Sequence, residues 1–308
     1  MQLGLLTASL AKLDLNEIAQ WAGGHGFGTL EVAAWRADDP RPLNPAHVNA
    51  RRLTSRQAAQ IQEQVGQAGV SITALACYAN NLHADRAERA RTHDHLKAVV
   101  QAAAMLGVPR VGTFVGRDVS RSVADDLRQA ETVFPPLVEH AATHGVRLII
   151  ENCLMTGWHP DRYPANLAYS PELWDWMSGL GLRLNFDPSH LVGIGLDPVT
   201  AAVAAVPHMD YMQAKDVEIL PGRIDRYGFF GSVLDRESDP DHPSHSWWRY
   251  RLPGLGHIDW AGVIGRLRSA GYHGVVSIEH EDPEHSGSVE AVQHGLLLAR
   301  DVLAPFLA

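Results

Sequence analysis

The sequence is short of cysteine, of basic charge and of long apolar runs. Its 308 residues include only two cysteines, Cys77 and Cys153, too few for a disulfide framework and consistent with a reducing compartment. Lys and Arg number 26 against 35 Asp and Glu, a formal charge of −9. That balance argues against a nucleic-acid partner, because phosphate binding leans on clustered cations. No stretch is apolar for long enough to span a bilayer, and Met1-Gln2-Leu3-Gly4-Leu5-Leu6 lacks the basic start of a secretory signal. A cytoplasmic protein without a membrane partner is therefore expected. No Gly-x-Gly-x-x-Gly follows the first predicted strand, which removes the main mark of an open dinucleotide-binding sheet. A glycine-rich phosphate loop, a Ser/His/Asp order and a low-complexity linker are also missing. What is present, 45% hydrophobic and 20% charged residues, is the composition of a globular protein with a large core.

The stretch around which the chain is organised is Leu148-Ile149-Ile150-Glu151-Asn152, a buried-strand pattern that ends abruptly in a carboxylate. Before it, strands are predicted over 3–6, 28–33, 70–77 and 109–115. Between them lie helices from Asp14 to the Gly23-Gly24 stop, over 53–68 with Ser55 as cap, and over 84–106 ended by Gly107. A further helix over 123–144 contains Pro135-Pro136, which should kink or interrupt it. Asp38-Asp39-Pro40-Arg41-Pro42 makes residues 36–47 a loop. After Glu151 come a loop over 153–170, a helix opened by Ser170-Pro171 and a strand ending at Asp187. A helix opened by Asp197-Pro198, a strand holding Gln213 and a long irregular segment over 217–256 follow. A helix over 259–269, a strand ending at Glu279 and a helix over 288–302 complete the chain. Strand and helix alternate eight times, which predicts parallel strands with helical crossovers. The expectation is a (β/α)8 TIM barrel in a single domain, 1–308, with 217–256 inserted after strand 7 as a lid or oligomerisation arm.

Glu151, Asp187, Gln213 and Glu279 thus stand at or near the C-terminal ends of consecutive strands, which a barrel brings to one point. Any one such carboxylate is most simply a helix cap or a salt-bridge partner. Four oxygen-bearing side chains in succession point instead to a shared divalent cation, Mg²⁺ or Mn²⁺ by ligand hardness, with Co²⁺ or Zn²⁺ as lesser fits. Three carboxylates at one point could not all ionise cheaply without a cation between them.

These residues resemble a known family. Ile150-Glu151-Asn152, Asn185-Phe186-Asp187-Pro188-Ser189-His190, Gln213-Ala214-Lys215-Asp216, Gly254-Leu255-Gly256-His257-Ile258-Asp259-Trp260 and Gly271-Tyr272-His273-Gly274 running into Ser277-Ile278-Glu279 are similar, in order, to the sugar isomerase/epimerase superfamily of xylose isomerase-like barrels. The resemblance implies that Glu151 and Glu279 are ligands that also handle protons, that Asp187 is a ligand and that His190 binds substrate. Gln213 departs from the pattern, which has histidine there; its carbonyl can still ligate a hard cation. Lys215, in the same matched segment, joins the substrate-binding candidates.

The loop leaving Glu151 carries Trp158, whose indole can stack on a sugar's CH face, and His159, which titrates near neutrality and is a candidate general acid/base. Packing for Trp158 and a surface role for His159 are the bland alternatives. Arg251, just before Pro253-Gly254, is the member of the aromatic- and Arg-rich insertion expected to reach substrate. That insertion also suggests a homo-oligomer, dimer or tetramer. The expected function is a metal-dependent isomerase or epimerase of a sugar or keto-sugar, working through an enediolate. A lyase on the same site, an inosose-type dehydratase or a 3-oxo-glycoside deglycosylating enzyme, is the alternative, and a non-catalytic sugar-binding barrel a second one.

Overall fold

Successive strand residues face opposite sides, so a strand covered on both faces reads as one apolar run and its two parities build two different interiors. The computed structural model describes residues 1–38, 45–232 and 247–307. Strands β1 (Gln2–Leu6), β2 (Thr29–Ala33), β3 (Ser71–Asn80), β4 (Arg110–Phe114), β5 (Arg147–Glu151), β6 (Arg183–Phe186) and β7 (Met209–Ala214) lie side by side in parallel. β8 (Asp216–Ile219) and β9 (Trp248–Arg251) form a separate antiparallel pair, and β10 (Val275–Ile278) closes the barrel between β7 and β1. Closure is in register, with Gln2 opposite Val275 and Leu5 opposite Ile278.

The helices are α1 (Leu15–Gly24), α2 (Ser55–Gln67), α3 (Arg86–Met105), α4 (Val123–Thr143), α5 (Pro171–Gly179), α6 (Ser189–Val192), α7 (Pro198–Ala205), α8 (Pro221–Tyr227), α9 (Trp260–Ser269) and α10 (Val289–Leu307). The outward parity of the barrel, including Leu5, Leu75, Ile150, Phe186 and Ile278, packs against helix residues such as Ile18, Val99, Phe134, Trp174 and Leu296. Each such aliphatic side chain contributes roughly 1.5–3 kcal/mol by leaving water. The inward parity begins with Ala74, Ile149, Tyr211 and Val275, a separate buried cluster. Two residues further along three of those strands stand Glu151, Gln213 and Ser277, so the same alternation that buries the floor puts polar groups above it.

Local chemistry sets the helix starts. Asp14 with Glu17 and Thr54 with Gln57 form reciprocal capping boxes, while Asp85, Asp197 and Asp259 cap α3, α7 and α9. The cap of α2 is therefore Thr54 rather than Ser55, because Thr54 is the residue with extended backbone whose hydroxyl reaches the Gln57 amide. Pro135 and Pro136 do not interrupt α4, which runs through both. Phe134, Leu137 and Ala141 are buried on either side of the pair and hold the helix to the barrel. The segment over 217–256 is less irregular than its composition implies: its described parts include most of β8, α8 and β9. Its stretch 233–246, and 39–44 of the proline-rich loop, lie outside the described residues.

Candidate active site

Glu151 is the last residue of β5, Asp187 the first after β6, and Glu279 the first after β10. Their carboxylates meet: one oxygen from each lies within 4.8 Å of the others. Two asparagines fix the backbone beneath them. Asn152 donates its amide to the Asp187 carbonyl at 2.8 Å and accepts from the Asp187 N–H at 2.7 Å, while Asn166 donates to the Glu151 carbonyl at 2.9 Å. The Asp187 carboxylate also accepts from Ser189 N–H at 2.8 Å, in the turn that starts α6.

Two cationic side chains enter this cluster. His190, on α6, places Nε2 3.0 Å from Glu151 and 3.3 Å from Asp187, with Nδ1 2.9 Å from the Tyr250 hydroxyl. Lys215, between β7 and β8, places Nζ 2.7 Å from Glu279, 3.0 Å from Glu281 and 3.3 Å from Asp187, under the Tyr250 ring. Burial alone would raise Asp187, but Lys215 and His190 hold its carboxyl down at about 2. Burial pushes Glu279 well above the usual carboxylate range, against the pull of Lys215 and with the help of Glu151. Lys215 itself is held above its usual value despite burial, because Glu279, Glu281 and Asp187 surround it. One carboxylate firmly ionised beside one that favours its proton is the asymmetry that proton transfer needs.

The donor set suits a divalent cation. Asp187 Oδ2 is buried without a directed hydrogen bond, and Gln213 Oε1 is buried without a partner among the described residues. Three converging carboxylates outnumber the cationic Lys215 and His190, and a cation held by His190 would take the place of its Nε2 proton. Glu151, Asp187, His190 and Glu279 make up the candidate metal site, so His190, read from sequence as a substrate contact, stands among the candidate ligands as well. Gln213 sits below them, its amide nitrogen 3.2 and 3.1 Å from the Glu31 carboxylate oxygens.

Other sequence-derived candidates fall elsewhere. Trp158 packs edge-on to Phe114 at 5.6 Å and lines a separate cavity of about 640 Å³ with Trp35, His83 and Arg117. His159 accepts from Asp161 N–H at 3.0 Å and meets Tyr163 edge-on. Arg251 is committed to Asp282 at 2.8 Å and to Glu218 and Glu284 at 2.9 Å each, which ties β9 to the loop after β10. The Gly254–Trp260 motif proves to be architectural. Asp216 accepts from Gly254 N–H, Ile258 N–H and the Trp260 indole at 2.9, 3.1 and 2.8 Å. A Cβ on Gly256 would stand 2.2 Å from that carboxylate, so only glycine fits.

Three residues in contact with the cluster or with Gln213 were not singled out in the sequence: Glu31, Tyr78 and Tyr250. Glu31 is buried inside β2 and raised to about 7 by burial, against the hydrogen bonds of Tyr78 and Gln213. A charged residue in mid-strand, flanked by apolar ones, was the available signal. Above the cluster opens a cavity of about 1220 Å³, lined by Glu279, His280, Tyr250, Trp248, Met155 and Phe230 among others. No helix of the described residues is long and apolar enough to cross a membrane.

Residues 19–301 match the family described as xylose isomerase-like TIM barrel. The uncharacterized protein YfiH of Bacillus subtilis is 26% identical, over 92% of this chain and 93% of its own. Among solved structures, D-psicose 3-epimerase from Clostridium cellulolyticum, crystallised with D-tagatose, superposes with a TM-score of 0.71 at 15% identity, covering 100% of this chain and 99% of the other. The IolI protein with a bound zinc atom gives 0.70 at 19% identity, covering 99% of each. AsbF of Bacillus anthracis, a probable 3-DHS dehydratase, gives 0.67 at 16%, again covering 99% of each. At these identities the structural likeness speaks for the fold.

Proposed function

The chain belongs to the xylose isomerase-like TIM barrel family, and from that premise we propose a divalent-cation-dependent isomerase or epimerase of a sugar or keto-sugar. The convergence of Glu151, Asp187 and Glu279, with oxygens within 4.8 Å of one another, is the observation that carries this reading. Glu151, Asp187, His190 and Glu279, with Gln213 beneath, would hold Mn²⁺ or Mg²⁺. A cation there would neutralise the carboxylates and polarise a substrate carbonyl.

The chain's own residues handle the proton. The two glutamates approach the substrate from β5 and β10, on different sides of the barrel mouth. One removes the proton α to the carbonyl, giving an enediolate, and the other returns it to the adjacent carbon or the opposite face. Lys215, 2.7 Å from Glu279, stabilises negative charge as it develops. Tyr250 covers both Lys215 and His190 and keeps water from them. Replacing Glu151→Gln or Glu279→Gln is expected to lower solvent-isotope exchange into substrate at least about 100-fold, with the circular dichroism spectrum unchanged. Near-normal exchange in either folded variant contradicts the assignment.

The cavity favours a second reading on the same site. At about 1220 Å³ it exceeds the roughly 300–1,000 Å³ usual for a drug-sized ligand, and its wall includes Met155, Trp248, Phe229 and Phe230. That supports a substrate carrying a substituent beyond one sugar ring. If the substituent sits β to the carbonyl, the same enediolate expels it and the enzyme is a lyase. Product mass separates the two: an isomer keeps the substrate's mass, whereas elimination releases a fragment.

A further inference from the structure

Gln213 lies on β7 opposite Ser277 of β10, and the pairing of Phe186 with Met212, continued by one residue, sets it beside Asp187. Its amide nitrogen contacts both Glu31 oxygens, at 3.2 and 3.1 Å, and the Tyr78 hydroxyl at 3.3 Å. Which end of the amide faces Glu31 follows from donor chemistry. Once deprotonated, Glu31 only accepts, and it then takes the NH₂ end. The Tyr78 hydroxyl spends its one proton on Glu31, at 2.5 Å, and can therefore only accept from Gln213 and from Asn185, 2.7 Å away. Both neighbours thus demand the nitrogen, and the carbonyl oxygen is left over. That oxygen is wholly buried and has no partner among the described residues. Asp187 Oδ2, Asn185 Oδ1 and Ser277 Oγ nearby are likewise buried without a hydrogen bond, so the Gln213 carbonyl calls for a partner from outside the chain, and a cation beside Asp187 is one.

We propose that Glu31 is a positioning residue of the candidate metal centre: with Tyr78 it locks Gln213 so that the carbonyl oxygen faces the cation, which shifts the centre's preference away from zinc and toward hard divalent ions. The inference rests on the reading that the carboxylate cluster binds a cation. A neutral amide oxygen suits Mg²⁺ and Mn²⁺, whereas an imidazole in that place would favour zinc. Without the Glu31 carboxylate the amide is free to turn its nitrogen upward, and an NH₂ group cannot ligate. The arrangement parallels the carboxylates that fix ligating histidines from behind, with an amide in the histidine's place.

The test is calorimetric titration of chelator-stripped protein with MnCl₂ and with ZnCl₂. In Glu31→Gln the new side chain can donate to the Gln213 carbonyl and turn it away. Mn²⁺ affinity is then expected to fall about 10- to 100-fold. The double variant Glu31→Gln with Gln213→Glu moves the carboxylate to β7, where both oxygens can ligate, and recovers most of the lost affinity. A role confined to packing gives no such rescue. Gln213→His, which needs no change at Glu31, shifts the Zn²⁺-to-Mn²⁺ preference toward zinc by at least roughly tenfold. The proposal is overturned by unchanged Mn²⁺ affinity in folded Glu31→Gln, by failure of the rescue, or, should Glu31→Gln not fold, by an unchanged metal preference in Gln213→His. Wild-type protein that binds neither ion overturns the metal-dependent reading itself, a result distinct from all of these.

Discussion

At the scale of single residues, the site is a contest between burial and neighbouring charge, and Glu31 shows the outcome where burial prevails. Its folded value of about 7 stands above the ordinary 4.5. A carboxyl raised on folding contributes stability that is fully present below its unfolded value and is lost as pH rises through the folded one. Metal-free wild type should therefore lose stability relative to Glu31→Gln between pH 4.5 and about 7, and the gap should level off above that window. The change across the window is about 3 kcal/mol at most. Urea denaturation of both proteins across that range measures it, and a pH-independent difference would show that Glu31 is not held protonated by burial. Glu151, Asp187 and Glu279 were legible in the sequence because each ends an apolar run. Glu31 left only a charge in mid-strand as a mark, and Tyr78 and Tyr250 left none, since each meets its partners only when distant strands close on one another.

At the scale of elements, β4 has a role that composition does not reveal. A Cβ on Gly112 would stand 2.5 Å from the Tyr78 hydroxyl, so the glycine makes room for the group that holds Glu31. Gly112→Ala should push Tyr78 aside and destabilise the fold by about 1–3 kcal/mol, as overpacking of a tight interior does. It should also weaken Mn²⁺ binding although Gly112 touches none of the candidate ligands. Thermal denaturation and calorimetry check the two effects, and a variant with wild-type values in both would show that Tyr78 relaxes freely. The eight barrel strands could be read from alternation with helices. The β8–β9 pair could not, because its strands are separated by chain with no apolar rhythm. The period-two alternation in Trp248-Arg249-Tyr250-Arg251 was nevertheless a strand signal. It matters for function, since this pairing carries Tyr250 to His190 and Lys215.

At the scale of the whole molecule, closing the barrel forces charges together that the chain keeps far apart in sequence. The candidate ligands come from the ends of β5, β6 and β10 and from α6, so a cation bound by them links separate parts of the barrel. At 100 times its dissociation constant, Mn²⁺ should stabilise the protein by about 2.7 kcal/mol. The corresponding rise in melting temperature is about 4 °C. Lys215 supplies the only ammonium among the described residues of this cluster, so Lys215→Met should destabilise metal-free protein by about 3 kcal/mol and enlarge the gain from Mn²⁺. Equal melting temperatures with Mn²⁺ and with chelator, in both proteins, would contradict a cation centre. The most direct measurement of the central claim is deuterium incorporation from D₂O into a panel of keto-sugars, inososes and 3-oxo-glycosides, followed by NMR with Mn²⁺ or with chelator. Exchange is expected at the carbon α to the carbonyl of at least one of them, present with Mn²⁺ and lost with chelator. Exchange that is indifferent to chelator, or none with any substrate despite bound Mn²⁺, would contradict that claim.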